Sequence, residues 1–238
     1  ENSDRLSLHK YAETYEGREL YYAVVSSGDN MGQIDQLRTN NLGLANPDSV
    51  GRSAAERVME DQPITVWLSY NVHGNEPSSS ESAMQTAYRL VAGSDAETSR
   101  MREEAITIID PMLNPDGRDR YVFWYKSSRS NMLNTNAEEL EHDEIWPGGR
   151  TNHYWFDLNR DWVWLVHPES RGRIDAYQQW MPQVHLDLHE QGFNSNYFTM
   201  PGTTPRNHEL PEDYEKWADV FGRGVIEEFN DHNVNFAT

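Results

Sequence analysis

The run Ile64–Tyr70, ITVWLSY, constrains the fold more than any other stretch of the chain. Its near-continuous apolar character suits a strand covered on both faces rather than one with a wet side. Strands and helices alternate around it. Glu19–Ser27, Ala105–Asp110 (AITIID) and Val184–Leu188 read as further strands. Ser78–Val91, Pro168–Trp180 and a stretch from about Pro211 to Asn230 read as helices. In the first of these, Met84, Ala87 and Val91 share a face, and Ser78 and Glu81 stand at capping-box spacing. No internal repeat or low-complexity linker interrupts the alternation. The expectation is one α/β domain over residues 1–238: three α/β/α layers, with helices on both faces of a mixed, largely parallel twisted sheet. Residues 126–156 are polar and irregular, a length that marks a functional loop.

Charge and cysteine content narrow the chemistry. Thirty-nine acidic residues against 20 basic ones give a net charge of -19, which repels phosphate backbones and excludes a nucleic-acid partner. The chain has no Cys, so disulfides, thiolate metal sites and cysteine nucleophiles are excluded, and His, Asp and Glu remain as metal ligands. No apolar run approaches the roughly 20 residues of a membrane span. The start, Glu1-Asn2-Ser3-Asp4-Arg5, lacks an initiator Met and reads as processed or trimmed.

In sheets of this kind ligands gather beyond the carboxyl ends of the strands. Directly after ITVWLSY comes Asn71-Val72-His73-Gly74-Asn75-Glu76-Pro77. His and Glu three apart on a turn can converge on one ion, since imidazole and carboxylate both suit Zn²⁺. Gly74 would let the turn tighten and Pro77 would stiffen its exit. Taken alone, this pair reads more readily as a solvated loop capping the next helix. AITIID leads into Asn114-Pro115-Asp116-Gly117, a turn sequence. Asp157-Leu158-Asn159-Arg160-Asp161-Trp162 follows, and then His185-Leu186-Asp187-Leu188-His189-Glu190-Gln191. In that last strand Val184, Leu186 and Leu188 share one face, and His185, Asp187 and His189 the other. A His at its carboxyl end would complete a three-ligand site with one position open.

These segments, together with Glu16-Gly17-Arg18-Glu19-Leu20, resemble the M14 family of zinc carboxypeptidases in order and approximate spacing, from about Tyr15 to Asn230. The resemblance implies that fold and one Zn²⁺ per chain, held by His73, Glu76 and His189, the His₂Glu set of carboxypeptidase A. His185 is the rival for the third place, its other reading being a packed strand histidine. By the same resemblance Asp157 orients a ligand His, while Asn159 and Arg160 grip a substrate's terminal carboxylate. Arg129 polarises the scissile carbonyl, with Arg118 and Arg120 as neighbouring alternatives. The implied activity is removal of C-terminal residues from peptides by zinc-activated water. The implied partner is a peptide with a free C-terminal carboxylate, and the implied location secreted or periplasmic.

The family's general-base Glu and closing Tyr lie beyond the last helix, whereas this sequence ends at Thr238. Glu227 and Glu228 read as solvated helix residues, and nothing in the family pattern supports Glu190 as the base. The expectation is therefore a C-terminally incomplete catalytic domain, short of its last strands, with its base beyond Thr238 and little hydrolysis of its own. Two other readings share these residues. One is a small-molecule N-acyl amino acid amidohydrolase like succinylglutamate desuccinylase or aspartoacylase. The other is a non-catalytic zinc-containing binding domain.

Overall fold

A computed structural model describes residues 3–237 except 47, 49, 133, 193, 194, 201, 203, 205, 206 and 212. The chain divides into two compact units, Glu1–His189 and Glu190–Thr238. In the first unit the elements run β1 (Leu6–Glu13), β2 (Glu19–Val25), α1 (Gly28–Met31), α2 (Ile34–Ala45), α3 (Arg52–Asp61) and β3 (Ile64–Tyr70). They continue with α4 (Pro77–Ala92), α5 (Ala96–Glu104), β4 (Ala105–Asp110), α6 (Pro115–Ser128), α7 (Pro168–Trp180) and β5 (Val184–Leu188). The second unit holds β6 (Tyr197–Phe198), α8 (Asp213–Asp231) and β7 (Phe236–Ala237).

The five strands of the first unit lie in the order β1-β2-β4-β3-β5. β3 pairs in parallel with both β4 and β5, while β2 pairs antiparallel with β1 and β4. The sheet is thus mixed, and its parallel half carries the three strands that end in polar motifs. The apolar run of β3 is explained by two helical layers. Tyr22, Val24, Trp67, Ile106 and Ile108 point to one face, against Leu37 of α2 and Ala176 and Trp180 of α7. Ala23, Val25, Tyr70 and Ile109 point to the other, against Ala83 of α4. Period-2 alternation in each strand therefore supplies both cores.

The helix starts differ from expectation. Glu76, not Ser78, is the N-cap of α4, its side chain makes no cap bond, and Pro77 occupies the first turn. The Ser78–Glu81 capping box does not form, because Glu81 accepts from Arg118 Nη2 at 2.7 Å. Asn114-Pro115-Asp116-Gly117 is a helix start rather than a free turn: Asn114 Oδ1 accepts from Gly117 N at 2.9 Å. α7 ends where Met181 turns left-handed (φ 43°), and Asn41 Nδ2 donates to its last carbonyls on Trp180 (2.5 Å) and Met181 (2.9 Å).

In the second unit β6 and β7 pair in parallel, and the Phe229 ring of α8 packs on Tyr197 and Phe236 at 5.4 and 5.7 Å. The helix expected from Pro211 begins at Asp213; Glu212 and Thr238 lie outside the described residues. Glu227 and Glu228 are exposed on α8. Among the described residues no helix is long and apolar enough to cross a membrane.

Candidate metal centre

Three loops leave the carboxyl ends of β3, β4 and the segment before α7, and each plants one apolar anchor in a common cluster: Val72, Leu113 and Leu158. Asn71 starts the first loop in the left-handed region (φ 56°), which Asn tolerates better than most side chains. Its Nδ2 donates to the carbonyls of His73 (3.0 Å) and Glu76 (2.9 Å), so the His73–Glu76 turn is wound around one buried amide. Its backbone N–H donates to Ser79 Oγ at 2.9 Å. Gly74 has no positive φ, so the turn does not need glycine for its backbone angles. A Cβ there would instead collide with Arg118 N and Gly117 C and stand 2.6 Å from Gly149 O. Glycine is required because three backbones approach one another at this point.

The loops bring His73, Glu76 and His189 together, with one donor atom from each lying within 4.8 Å of the others. His73 Nδ1 is 2.8 Å from Glu76 Oε1, and His189 Nδ1 is 3.3 Å from Glu76 Oε2. Ligands about 2.1 Å from a tetrahedral ion stand roughly 3.4 Å apart, so these separations suit zinc. The other nitrogen of each ring meets a carboxylate. His73 Nε2 lies 3.1 Å from Asp157 Oδ1, and His189 Nε2 lies 3.1 Å from Asp187 Oδ2. Carboxylate acceptors on both Nε2 atoms turn both Nδ1 atoms toward Glu76. Glu76 Oε2 is buried and makes no well-aligned hydrogen bond, so its lone pairs are open to an ion between the rings.

The electrostatics require positive charge here. Hydrogen bonds to Asp187 and Glu76 pull His189 up to about 10. Burial works to raise the Glu76 carboxyl, but its bonds from His189 and His73 hold it at about 2. Burial also opposes ionisation of Asp157, and the charges of His73 and Arg150 more than offset it. Three carboxylates around two imidazoles favour a divalent cation, and the donor set fits Zn²⁺.

Asp157, Asn159 and Arg160 border the cluster. Asp157 caps the short 3₁₀ turn Leu158–Arg160, accepting from Asn159 N at 2.9 Å. Its Oδ2 accepts from Arg150 Nε and Nη2 at 3.2 and 3.0 Å. Asn159 Oδ1 accepts from Trp162 Nε1 at 3.2 Å, turning Nδ2 to within 3.4 Å of His189 Nε2. Arg160 is exposed, with Nη1 donating to the Asn159 carbonyl at 3.2 Å.

The structure does not bring Arg129 to this cluster. It is the exposed C-cap of α6, whose opposite end packs on Gly74, and 14 helical residues carry it about 20 Å away. Arg118 is committed to Pro77 O (3.0 Å) and Glu81, and Arg120 to the carbonyls of Gly148 (3.1 Å) and Asn152 (3.0 Å). Arg150, which nothing in the sequence pattern singled out, is the guanidinium at the site. His185 stands outside the group: its Nε2 meets Ser69 Oγ at 3.0 Å, and it packs between Trp162 and Tyr177. The Glu16–Leu20 segment acts at a distance, with Gly17 in a left-handed turn (φ 78°) and Arg18 Nη1 donating to buried Asp116 at 2.8 Å. Asn71 and Asp187 were also missed. The shared face of Asp187 and His189 was a usable signal.

A family model described as zinc carboxypeptidase matches residues 1–212. Carboxypeptidase 2 of Trichophyton tonsurans is 26% identical over 142 residues, covering 60% of this chain and 21% of its own. Among solved structures, thrombin activatable fibrinolysis inhibitor aligns with a TM-score of 0.60 at 16% identity, over 98% of this chain and 53% of its own. Carboxypeptidase A from Helicoverpa armigera aligns with a TM-score of 0.57 at 13% identity, over 98% and 52%. The chain spans about a fifth of the length of the curated relatives it matches and about half of these solved chains.

Proposed function

Because this chain belongs to the zinc carboxypeptidase family, we propose that it is the metal-binding part of a hydrolase that removes C-terminal residues from peptides, with one Zn²⁺ held by His73, Glu76 and His189. The observation that carries this reading is the convergence of two imidazole Nδ1 atoms on the two oxygens of Glu76, with each opposite nitrogen bonded to a carboxylate. An ion held there supplies Lewis acidity toward a substrate carbonyl and toward water. Asp157 keeps the His73 ring turned with Nδ1 toward the ion. Arg160, exposed and next in the chain to Asn159, binds the terminal carboxylate with it and so enforces cleavage at the C-terminus. Arg150, half-exposed and next to Asp157, takes the place expected of Arg129 and opposes charge on the scissile carbonyl oxygen. The general base is assigned to no residue of this chain, so zinc binding belongs to the chain and turnover to the whole protein. A secreted or periplasmic location goes with this reading.

The test pairs a peptide bearing a free C-terminus with the same peptide as its C-terminal amide, each incubated with the zinc-loaded protein. Release of the last residue from the free acid alone supports the reading. Equal cleavage of both forms, or turnover of small N-acyl amino acids with no peptide cleavage, overturns it.

A further inference from the structure

His189 Nε2 needs an acceptor if Nδ1 is to face an ion, and two side chains stand next to it, Asn159 and Asp187. Asn159 presents Nδ2, a donor, because its Oδ1 is engaged by Trp162. That leaves Asp187 Oδ2, at 3.1 Å. Asp187 and His189 alternate onto the same side of β5, so strand geometry aligns the carboxylate with the ring. The second oxygen of Asp187 is buried and makes no hydrogen bond among the described residues. Arg173 of α7 is 1% exposed, with its guanidinium 3.8 Å over the Trp162 ring. Trp162 in turn packs on His185, two residues before Asp187. Among the described residues Arg173 Nε and Nη1 have no partner, and Nη2 reaches the Leu158 carbonyl at 3.5 Å. A buried guanidinium with so few bonds is costly unless anions stand near it. Asp110, Asp187 and Asp161 all act on it electrostatically.

We propose that Asp187 is the positioning carboxylate of His189 and that Arg173 is the buried cation that backs it. The site then contains two parallel chains of groups: Arg150–Asp157–His73 in the rim loop, and Arg173–Asp187–His189 between α7 and β5. The first is half-exposed and directly bonded, while the second is internal. Each holds one imidazole with Nε2 at a carboxylate and Nδ1 directed at Glu76, so both rings are oriented for an ion. The proposal rests on the zinc reading above, and the experiment separates the two.

Zinc affinity is measured by chelator competition on the 238-residue protein and on Asp187→Ala, Asp187→Asn and Arg173→Met, with a urea unfolding curve of each metal-free protein. Removing an outer partner of a ligand His costs about 10–100-fold in metal affinity. Asp187→Ala is expected to lose that much. Asp187→Asn, which keeps an acceptor oxygen but not the charge, is expected to lose several-fold, as is Arg173→Met. Visible absorption of the Co²⁺-loaded proteins should change in the same order, a signature that loss of stability alone does not produce. Wild-type affinity in Asp187→Asn, or in a folded Asp187→Ala, overturns the proposal while leaving the zinc site standing. A folded wild-type protein that binds no zinc overturns both.

Discussion

His73, Glu76 and His189 each offer one atom to a shared point, and their individual contributions differ from those of the groups behind them. Replacing His189 by Ala removes a ligand outright and is expected to lower zinc affinity by more than the roughly 100-fold limit for an outer partner. Metal analysis of the purified variant checks this; full retention of zinc would reject the ligand set. Arg129 and Arg150 make a sharper comparison. Arg129→Ala should leave both zinc affinity and stability unchanged, since its side chain sits exposed at the far end of α6. Arg150→Ala should weaken zinc binding by about 10-fold, because Asp157 loses the two bonds that aim it at His73. The sequence showed the His73–Glu76 pair because both sit on one short turn. It did not show Arg150, whose link to Asp157 exists only once the rim loop has folded back on itself.

At the scale of elements, the site depends on where helices begin. Asn114 both caps α6 and donates from Nδ2 to the Arg150 carbonyl at 3.2 Å, so it ties the helix start to the rim loop. Asn114→Ala is expected to cost about 1 kcal/mol from the cap alone, and more with the second bond, read as a lower urea midpoint. Gly74→Ala is expected to be worse than its helix or turn propensity suggests. The added methyl meets backbone atoms of Gly117, Arg118 and Gly149, none of which can rotate away. Both stability and zinc affinity should fall in that variant, and retention of wild-type values would show that the three backbones are not in contact. The limits of β3, β4, α7 and β5 were legible from periodicity to within a residue. β1, α5 and α6 were not, since each is recognised by its partners or its cap rather than by an apolar stripe.

The whole molecule carries a pH dependence from carboxyls that burial leaves short of partners. Asp110, at the end of β4, is pushed up to about 7 by burial, with Tyr11 OH donating to it and Arg173 partly opposing the shift. Glu169, at the start of α7, is also pushed up to about 7 by burial, with Asp116 and Asp161 adding to the effect. Both groups titrate near their ordinary values, 3.8 and 4.5, when unfolded. The folded state therefore holds these protons more tightly. Their contribution to stability is complete below about pH 4 and is lost as pH rises through about 7. The difference in unfolding free energy between Asp110→Asn and wild type should grow in favour of the variant from pH 4 to 8, by up to a few kcal/mol. A constant difference across that range would show that Asp110 is ionised throughout.

The sequence by itself determined which faces of the strands are apolar, hence a sheet covered on both sides, and which turns at the strand ends carry His, Glu, Asn and Arg. Those are properties of neighbours along the chain, and alternation or spacing reports them directly. Tertiary structure alone decided which of those groups meet. It placed His189 opposite Glu76 across β3 and β5, carried Arg129 away along α6, and turned Arg150 onto Asp157. It also required Gly74, Gly117 and Gly149 to be bare where three loops touch. Such pairings depend on loop paths and on desolvated contacts between residues tens of positions apart, for which a linear pattern holds no period to read.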